Sequence, residues 1–196
     1  MSTPLLIGLH GKAGSGKDSL GKLLTLTLDK SVRTAFADPV KTAAGVIFDV
    51  HQETAHSPEF KEWYSSYWGL TGRQMLQLLG TEAIRGTFGP DFWVKRWRLV
   101  AERFLYSGYS VIVTDVRFEN EALAIRELGG TIVHVIRPNW QALDGSEGAH
   151  ASEAGIQMQL WDYAVTNDGT LEDLGHKAEM LLKWIRSDER NHGAQS

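Results

Sequence analysis

The chain has 196 residues, of which 42% are hydrophobic and 22% charged, and its formal net charge at pH 7 is −4. This composition predicts one globular domain with a substantial core and disfavours both a disordered chain and a protein that binds nucleic acid through a basic face. The lack of cysteine excludes disulfides and thiolate metal sites. No apolar run approaches the ~20 residues of a membrane span, and the N-terminus lacks the basic start of a signal peptide, so we expect a cytoplasmic protein.

A glycine-rich stretch near the N-terminus lies between a predicted strand and a predicted helix. The apolar run at 5–9 has strand length, and leucines recur at helical spacing from residue 17 to residue 28. Glycines between them allow successive backbone N–H groups to line one concavity, the helix N-terminus adds partial positive charge, and a lysine there can reach outer phosphates. The stretch predicts a phosphate-binding loop made of Gly11, Gly14, Ser15, Gly16 and Lys17.

The residue after that lysine departs from the usual pattern of such loops, which has serine or threonine there to bind magnesium. Here Asp18 takes the position, and Ser19 follows it. A carboxylate in the first turn of a helix is favourable for the helix dipole. Beside a triphosphate it would be repelled unless magnesium or water lay between them. Asp18 and Ser19 are therefore both candidate metal ligands, and their spacing does not decide between them.

In the middle of the chain, the sequence pattern predicts one strand at 32–37 and then a mainly helical region. Asp38 precedes a proline and is expected to cap a helix over 39–50. Residues 51–69 carry aromatic side chains without clean periodicity, which predicts a loop or short helices that form a flap. Further helices are predicted over 71–82, with Thr71 as the cap, and over 91–106, where apolar residues form one stripe.

In the remainder of the chain, short β-branched runs alternate with helical patterns. Strands are predicted at 111–114, 131–136 and 163–166, and helices at 119–128, near 153–160 and from 171 to 185. A polar loop at 139–152 and a polar tail at 187–196 complete the chain. Five strands that alternate with helices predict an α/β fold with a five-stranded parallel sheet and helices on both faces. Ligands of such sheets bind beyond the carboxyl ends of the strands.

Charged or amide side chains follow these predicted strands, namely Asp38, Asp115, Arg117, Arg137 and Asn167. Asp115 either holds magnesium, directly or through water, or caps the helix that follows. Arg117 precedes a helix N-terminus, where a cation is electrostatically disfavoured, so an anionic partner is the better explanation. These strand ends are typical of a nucleotide site.

Several stretches together resemble the bacteriophage deoxynucleoside monophosphate kinases. They are IGLHGKAGSGKDS near the N-terminus, FADPVK at 36–41, GRQMLQLLGTE at 72–82, TDVRFENEA at 114–122, HASE at 150–153 and VTNDGTLEDL at 165–174. The aspartate directly after the lysine is part of the resemblance. The resemblance implies an adenylate-kinase-like P-loop fold in a single kinase domain over 1–186. It also implies an enzyme that uses Mg²⁺ and transfers the γ-phosphate of ATP to a deoxynucleoside monophosphate, in the cytoplasm of a host cell.

The resemblance also implies roles for individual residues. The triphosphate and metal would be served by the loop residues with Lys17, Asp18 and Ser19, by Asp115, and on the ATP side by Arg137 and Asn167. The acceptor would be bound by Asp38, Arg73, Trp93, Arg117 and Glu121. Lys17, Asp18, Arg73, Asp115 and Arg117 are the catalytic candidates. Residues 51–90 would form an acceptor-side insertion and 138–153 a lid. Trp93 also belongs to the apolar stripe of its helix, so base stacking and core packing both stay open.

Other functions remain open from the sequence. A different small-molecule P-loop kinase, acting on a nucleoside or dephospho-coenzyme A, would use Asp38 or Asp18 as a base. A nucleotide-binding regulatory module is less well supported, because the late turn reads TNDG and the chain has no guanine-specific NKxD stretch. The expected partners are small nucleotides, without nucleic acid or membrane. The aromatic residues Trp63, Tyr64, Tyr67 and Trp68 either line the flap or form the contact of a homodimer.

Overall fold

The structure is a computed structural model that describes residues 3–138 and 160–193. The chain divides into two compact units. The first, which we call the sheet unit, comprises Met1–Thr34 and Val100–Ser196, and the second, which we call the inserted unit, comprises Ala35–Leu99. The predicted loop at 139–152 lies outside the described residues, and so do the lid at 138–153, except for residue 138, and nearly all of the predicted helix near 153–160.

Strands and helices alternate along much of the chain. The strands are β1 (Leu6–His10), β2 (Ser31–Thr34), β3 (Tyr64–Ser65), β4 (Leu70–Thr71), β5 (Ser110–Val116), β6 (Thr131–Ile136) and β7 (Tyr163–Thr166). The α-helices are α1 (Lys17–Thr27), α2 (Asp38–Ile47), α3 (Gln52–His56), α4 (Gly72–Gln77), α5 (Gly86–Phe88), α6 (Phe92–Tyr106), α7 (Glu119–Glu127) and α8 (Leu171–Gly193). A 3₁₀-helix spans Pro58–Lys61, and a π-helix spans Leu78–Arg85.

The sheet unit is built on five strands in the order β2-β5-β1-β6-β7, all of them parallel. This confirms the predicted fold class. The central strand β1 is buried along its whole length, which explains its unbroken apolar run. His10, its last residue, is in register with Val116 of β5 and His134 of β6. The carboxyl ends of the three middle strands therefore meet where the glycine-rich loop begins.

Helices cover both faces of this sheet. Ile7 and Leu9 of β1 share a core with residues of α1 and α8, such as Leu24 and Leu181. The residue between them, Gly8, faces the other way, since a Cβ placed on it would lie 2.7 Å from Cδ1 of Ile125 in α7. Alternate residues of a strand point to opposite faces, so α1 and α8 lie on one face and α7 lies on the other.

Several boundaries differ from the predictions for local reasons. The predicted strand at 32–37 ends at Thr34, and α2 begins at Asp38 rather than after it, with Ala37 as its N-cap. Asp38 is thus not the cap; its Oδ2 accepts a hydrogen bond from the backbone N–H of Ala35, 2.9 Å away, and so stabilises the turn into the helix. The predicted strand at 111–114 is longer in both directions and includes Asp115.

The inserted unit is mainly helical, and its central helix changes character along its length. Thr71 caps α4 as predicted, in a reciprocal arrangement with Gln74. Where an α-helix was predicted to end at residue 82, α4 stops at Gln77, and the chain continues as the π-helix and then α5, to Phe88. The region 51–69 contains α3, the 3₁₀-helix and β3, the first strand of an antiparallel hairpin with β4 that the sequence patterns did not predict.

The last helix continues to Gly193, so the tail predicted at 187–196 is helical over most of its length. None of the helices within 3–138 and 160–193 combines the length and the apolar character needed to cross a bilayer.

Candidate phosphate-binding site

The loop between β1 and α1 has the backbone geometry of an anion cradle. Gly11, Gly14 and Gly16 have φ angles of 150°, 72° and 101°, which L side chains rarely adopt. A Cβ on Gly11 would lie 2.4 Å from the carbonyl oxygen of Val135, and a Cβ on Gly16 would lie 2.3 Å from Nδ2 of Asn167. The loop conformation therefore requires glycine at these positions, as the sequence predicts.

The polar groups of the loop leave donors for a ligand. Ser15 is only 2% exposed, and its buried Oγ has no hydrogen-bond partner within the described residues. Helix α1 begins at Lys17, and its N-cap, Gly16, has no side chain to accept from the backbone N–H groups of the first turn. Nζ of Lys17 donates to the carbonyl oxygens of Gly11 at 2.7 Å and Lys12 at 2.8 Å, which holds the ammonium group against the loop.

Two residues from neighbouring strand ends contact this loop, as the topology predicts. Nδ2 of Asn167, just after β7, donates to the carbonyl oxygen of Ser15 at 3.0 Å. Nη1 of Arg137, just after β6, lies 3.4 Å from the carbonyl oxygen of Gly14, at the long limit of a hydrogen bond. Both contacts are with the loop backbone.

The three candidate metal ligands lie on two elements of the sheet unit. Asp18 and Ser19 occupy the first turn of α1 and are exposed. Asp115 is half-buried and lies one residue before Val116, the partner of His10 in the neighbouring strand β1. Asp115 does not cap α7, because the N-cap of that helix is Phe118. Of the two roles considered for Asp115, the capping role is wrong. All three side chains offer the oxygen donors that Mg²⁺ takes.

Arg117 and Glu121 are linked through the turn between β5 and α7. Glu121 is 3% exposed, and its Oε2 accepts hydrogen bonds from the backbone N–H groups of Arg117 at 2.9 Å and Phe118 at 3.1 Å. A carboxylate in the first turn also interacts favourably with the dipole of α7. Through these hydrogen bonds Glu121 holds the backbone of the turn in which Arg117 lies.

A stacked pair of histidines at the ends of β1 and β6, one buried and one half-buried, was not predicted from the sequence. The rings of His10 and His134 stack with centroids 5.0 Å apart, and Trp161 packs on His134 at 4.3 Å. Nδ1 of His10 lies 3.0 Å from the carbonyl oxygen of Val116, and because a carbonyl only accepts, His10 carries its proton there. Burial lowers the pKa of His10, and burial, with His10 and Lys17 nearby, lowers the pKa of His134 from 6.5 to about 4.

These pKa values predict how stability depends on pH. Since the folded state binds a proton on His134 less readily than the unfolded chain does, the contribution of the neutral ring is complete above pH 6.5 and is lost as the pH falls toward about 4. We expect urea unfolding of the wild type to show this decrease, and His134→Phe, which keeps an aromatic ring without titration, to show a smaller one. Equal decreases in both proteins would contradict the assignment.

Three of the acceptor-side candidates, Asp38, Arg73 and Trp93, lie in the inserted unit, whereas Arg117 and Glu121 lie in the sheet unit. Arg73, in the first turn of α4, donates from Nη2 to Oε1 of Glu62 at 2.6 Å. Trp93 is 8% exposed, and its indole N–H donates to the carbonyl oxygen of Gly80 in the π-helix at 2.8 Å. Of the two roles considered for Trp93, this environment matches core packing. Glu62 was not found from the sequence, because it lies in the segment without clean periodicity.

Another residue that the sequence patterns did not single out is Lys177 in α8, whose Nζ donates to the carbonyl oxygen of Thr166 and to Asp168. A signal for it was present. Lys177 lies three residues after the buried Leu174 and four before the buried Leu181, so a charged residue occupies the core-facing stripe of the helix.

Comparisons with known proteins give a consistent result. A family model described as deoxynucleotide monophosphate kinase matches residues 51–178. The deoxynucleotide monophosphate kinase of Enterobacteria phage T4 is 38% identical over 112 residues, which cover 57% of this chain and 45% of that protein. A protein of Acanthamoeba polyphaga mimivirus, provisionally given the same name, is 32% identical over 181 residues, which cover 86% of this chain and 91% of its own length. The match to the phage T4 kinase therefore spans less than half of that protein's length.

A solved structure supports the fold. The APS kinase of Mycobacterium tuberculosis, in complex with AMPPNP and APS, gives a TM-score of 0.52 at 16% identity and covers 93% of this chain and 99% of that one. At this identity the likeness shows the P-loop kinase fold alone.

Proposed function

This chain belongs to the deoxynucleotide monophosphate kinase family, and on that basis we propose that it transfers the γ-phosphate of ATP to a deoxynucleoside monophosphate, producing ADP and the diphosphate. The observation that carries the proposal is the loop at the end of β1. It lies outside residues 51–178, which the family model matches, so its geometry is independent support for a triphosphate site. A protein with these substrates would act in the cytoplasm, in a host cell if a phage encodes it.

The residues of the loop fit a triphosphate and a magnesium ion. A Cβ on Gly11 or Gly16 would clash with Val135 or Asn167, so both glycines are needed for this loop conformation. The Ser15 hydroxyl is buried without a partner within the described residues, and the N-cap of α1, Gly16, has no side chain to bind the backbone N–H groups of the first turn. Asp18, Ser19 and Asp115 would hold Mg²⁺, directly or through water. When bound, the ion would supply positive charge against the charge that develops on the phosphates during transfer.

The remaining chemistry requires positioning and charge neutralisation. The loop N–H groups and Lys17 bind the phosphates of ATP, and Arg117 stabilises the charge of the transferred group with its planar set of donors. The acceptor phosphate already carries an anionic oxygen near neutral pH, since its second pKa is ~6. A strong general base is therefore unnecessary.

The acceptor side is assigned to the inserted unit, Ala35–Leu99. Arg73 is the proposed ligand of the acceptor phosphate. A cation in the first turn of a helix is disfavoured by the helix dipole, and Glu62 offsets this by accepting its hydrogen bond. The guanidinium presents its N–H donors in a planar fork that matches phosphate geometry, so an acceptor phosphate could replace Glu62 as its partner.

The test is ADP production from ATP and Mg²⁺ with each deoxyribonucleoside and ribonucleoside monophosphate supplied separately. We expect turnover with one or more deoxynucleotides and weaker turnover with the ribonucleotides. The same assay on Lys17→Met protein controls for contaminating kinases.

Absence of turnover with every monophosphate, in folded protein that binds ATP, would refute the proposed function. Nucleosides and dephospho-coenzyme A would then be the next acceptors, since they are the substrates of the alternative class of small-molecule kinase.

A further inference from the structure

We propose that Lys177 of α8 is a positioning residue for the phosphate loop, acting through the turn between β7 and α8 and through the side chain of Asn167. The proposal rests on the proposed function only in taking this loop to be the ATP site. Lys177, Asn167 and the loop all belong to the sheet unit.

Asn167 braces the loop where it enters α1. Its Nδ2 donates to the carbonyl oxygen of Ser15 at 3.0 Å, and the same atom lies only 2.3 Å from the position that a Cβ on Gly16 would take. Gly16 has φ of 101° and caps α1. Glycine is the residue with the most conformational freedom, and Asn167 restrains the Ser15–Gly16 peptide from outside the loop.

Lys177 in turn binds both chain neighbours of Asn167, the backbone of Thr166 and the side chain of Asp168. Its Nζ donates to the carbonyl oxygen of Thr166 at 2.7 Å and to Oδ1 of Asp168 at 2.5 Å. The hydrogen bond from Lys177 lowers the pKa of the Asp168 carboxyl, so Asp168 is ionised at neutral pH. The backbone N–H of Asn167 also donates to the carbonyl oxygen of Ile136 at 2.6 Å. Asn167 is thus fixed between two residues that one ammonium group joins.

The start of α8 has a separate anchor, so the loss of Lys177 should not unfold the helix. Oδ2 of Asp173 accepts hydrogen bonds from the backbone N–H and the hydroxyl of Thr170, both at 2.8 Å. The side chain of Lys177 is 35% exposed, and its stem follows the apolar stripe of α8. Methionine retains that stem and removes only the charge and its hydrogen bonds.

The experiment measures the Kd of ATP by calorimetric titration, without an acceptor, for the wild type, Lys177→Met, Lys177→Arg and Lys183→Met. We expect Lys177→Met to raise the Kd about tenfold, the usual scale for losing a charge-assisted hydrogen bond. Lys177→Arg should recover part of the affinity, because guanidinium can donate to both partners. Lys183, exposed on the same helix, is the matched control, and its variant should bind ATP as the wild type does.

A double-mutant cycle tests whether Lys177 acts through Asn167. If it does, Lys177→Met will add little to the rise in Kd that Asn167→Ala already causes. Additive effects would overturn the proposal, and so would a Lys177→Met variant with a lower melting temperature and an unchanged Kd. In the kinetic assay, the KM of the monophosphate should stay near the wild-type value. A protein that binds ATP but phosphorylates no monophosphate would refute the proposed function and leave this inference standing.

Discussion

Lys17→Met is expected to lower kcat by at least about a hundredfold, the scale on which removal of one donor to a developing charge acts. Nζ of Lys17 donates to the carbonyl oxygens of Gly11 and Lys12. These bonds hold the positive charge of the side chain at the phosphate-binding loop. Methionine has a similar length and apolar stem but no charge. The variant should therefore fold, bind ATP more weakly and transfer phosphate very slowly.

Lys22→Met is the matched control for this variant, because Lys22 lies on the same helix and is exposed. We expect its kcat and its KM for ATP to equal those of the wild type. Melting temperatures of both variants should lie close to that of the wild type, which separates a catalytic effect from unfolding. A Lys17→Met enzyme with nearly normal kcat would show that this loop is not the triphosphate site.

The sheet and the loop were predictable from the sequence because both depend on local signals. The strands β6 and β7 have the predicted bounds, since each is a β-branched or apolar run bounded by turn residues. The loop required glycine at positions with positive φ, and a glycine-rich turn between a strand and a helix shows this need directly. The order of strands and their register follow from contacts between distant segments, which local patterns do not contain.

The inserted unit was harder to predict for the same reason. A 3.6-residue apolar period cannot distinguish an α-helix from the π-helix at Leu78–Arg85, where the indole of Trp93 donates to the Gly80 carbonyl. The strands β3 and β4 have two residues each, too few to show the alternation of a strand. Arg73 was found from its position in the chain, but its partner Glu62 lies eleven residues earlier, in the turn after the 3₁₀-helix.

The candidate site shows a similar division. The strand-end rule correctly brought Asn167 to the loop, but it did not reveal that the amide binds the backbone at Ser15. Glu121 was predicted to bind substrate from its place in a motif, whereas in the structure its Oε2 accepts from the backbone N–H groups of Arg117 and Phe118. Residue type and spacing locate such a site, and only the three-dimensional contacts tell whether a polar group faces a ligand or supports the chain beside it.

Arg117→Ala is expected to lower kcat by about 10³-fold or more, the scale of an arginine that stabilises charge on a transferred phosphoryl group. Its backbone N–H donates to Glu121, and alanine retains that N–H, so the turn and α7 should form as in the wild type. Arg117→Lys keeps a positive charge but loses the planar pair of donors, and we expect it to recover only a small part of the activity.

Two comparison variants separate the charge of Arg117 from the turn that carries it. Arg103→Ala removes an exposed arginine of α6 and should leave kcat and stability unchanged. Glu121→Ala leaves the N–H groups of Arg117 and Phe118 without their acceptor, and we expect it to lower the free energy of unfolding by about 2 kcal/mol or more.

If Arg117→Ala behaves like Glu121→Ala, with lost stability and activity together, Arg117 is structural. If it retains its stability and also its activity, another residue stabilises the transferred phosphate. Only loss of turnover in a protein with wild-type unfolding supports the proposed role.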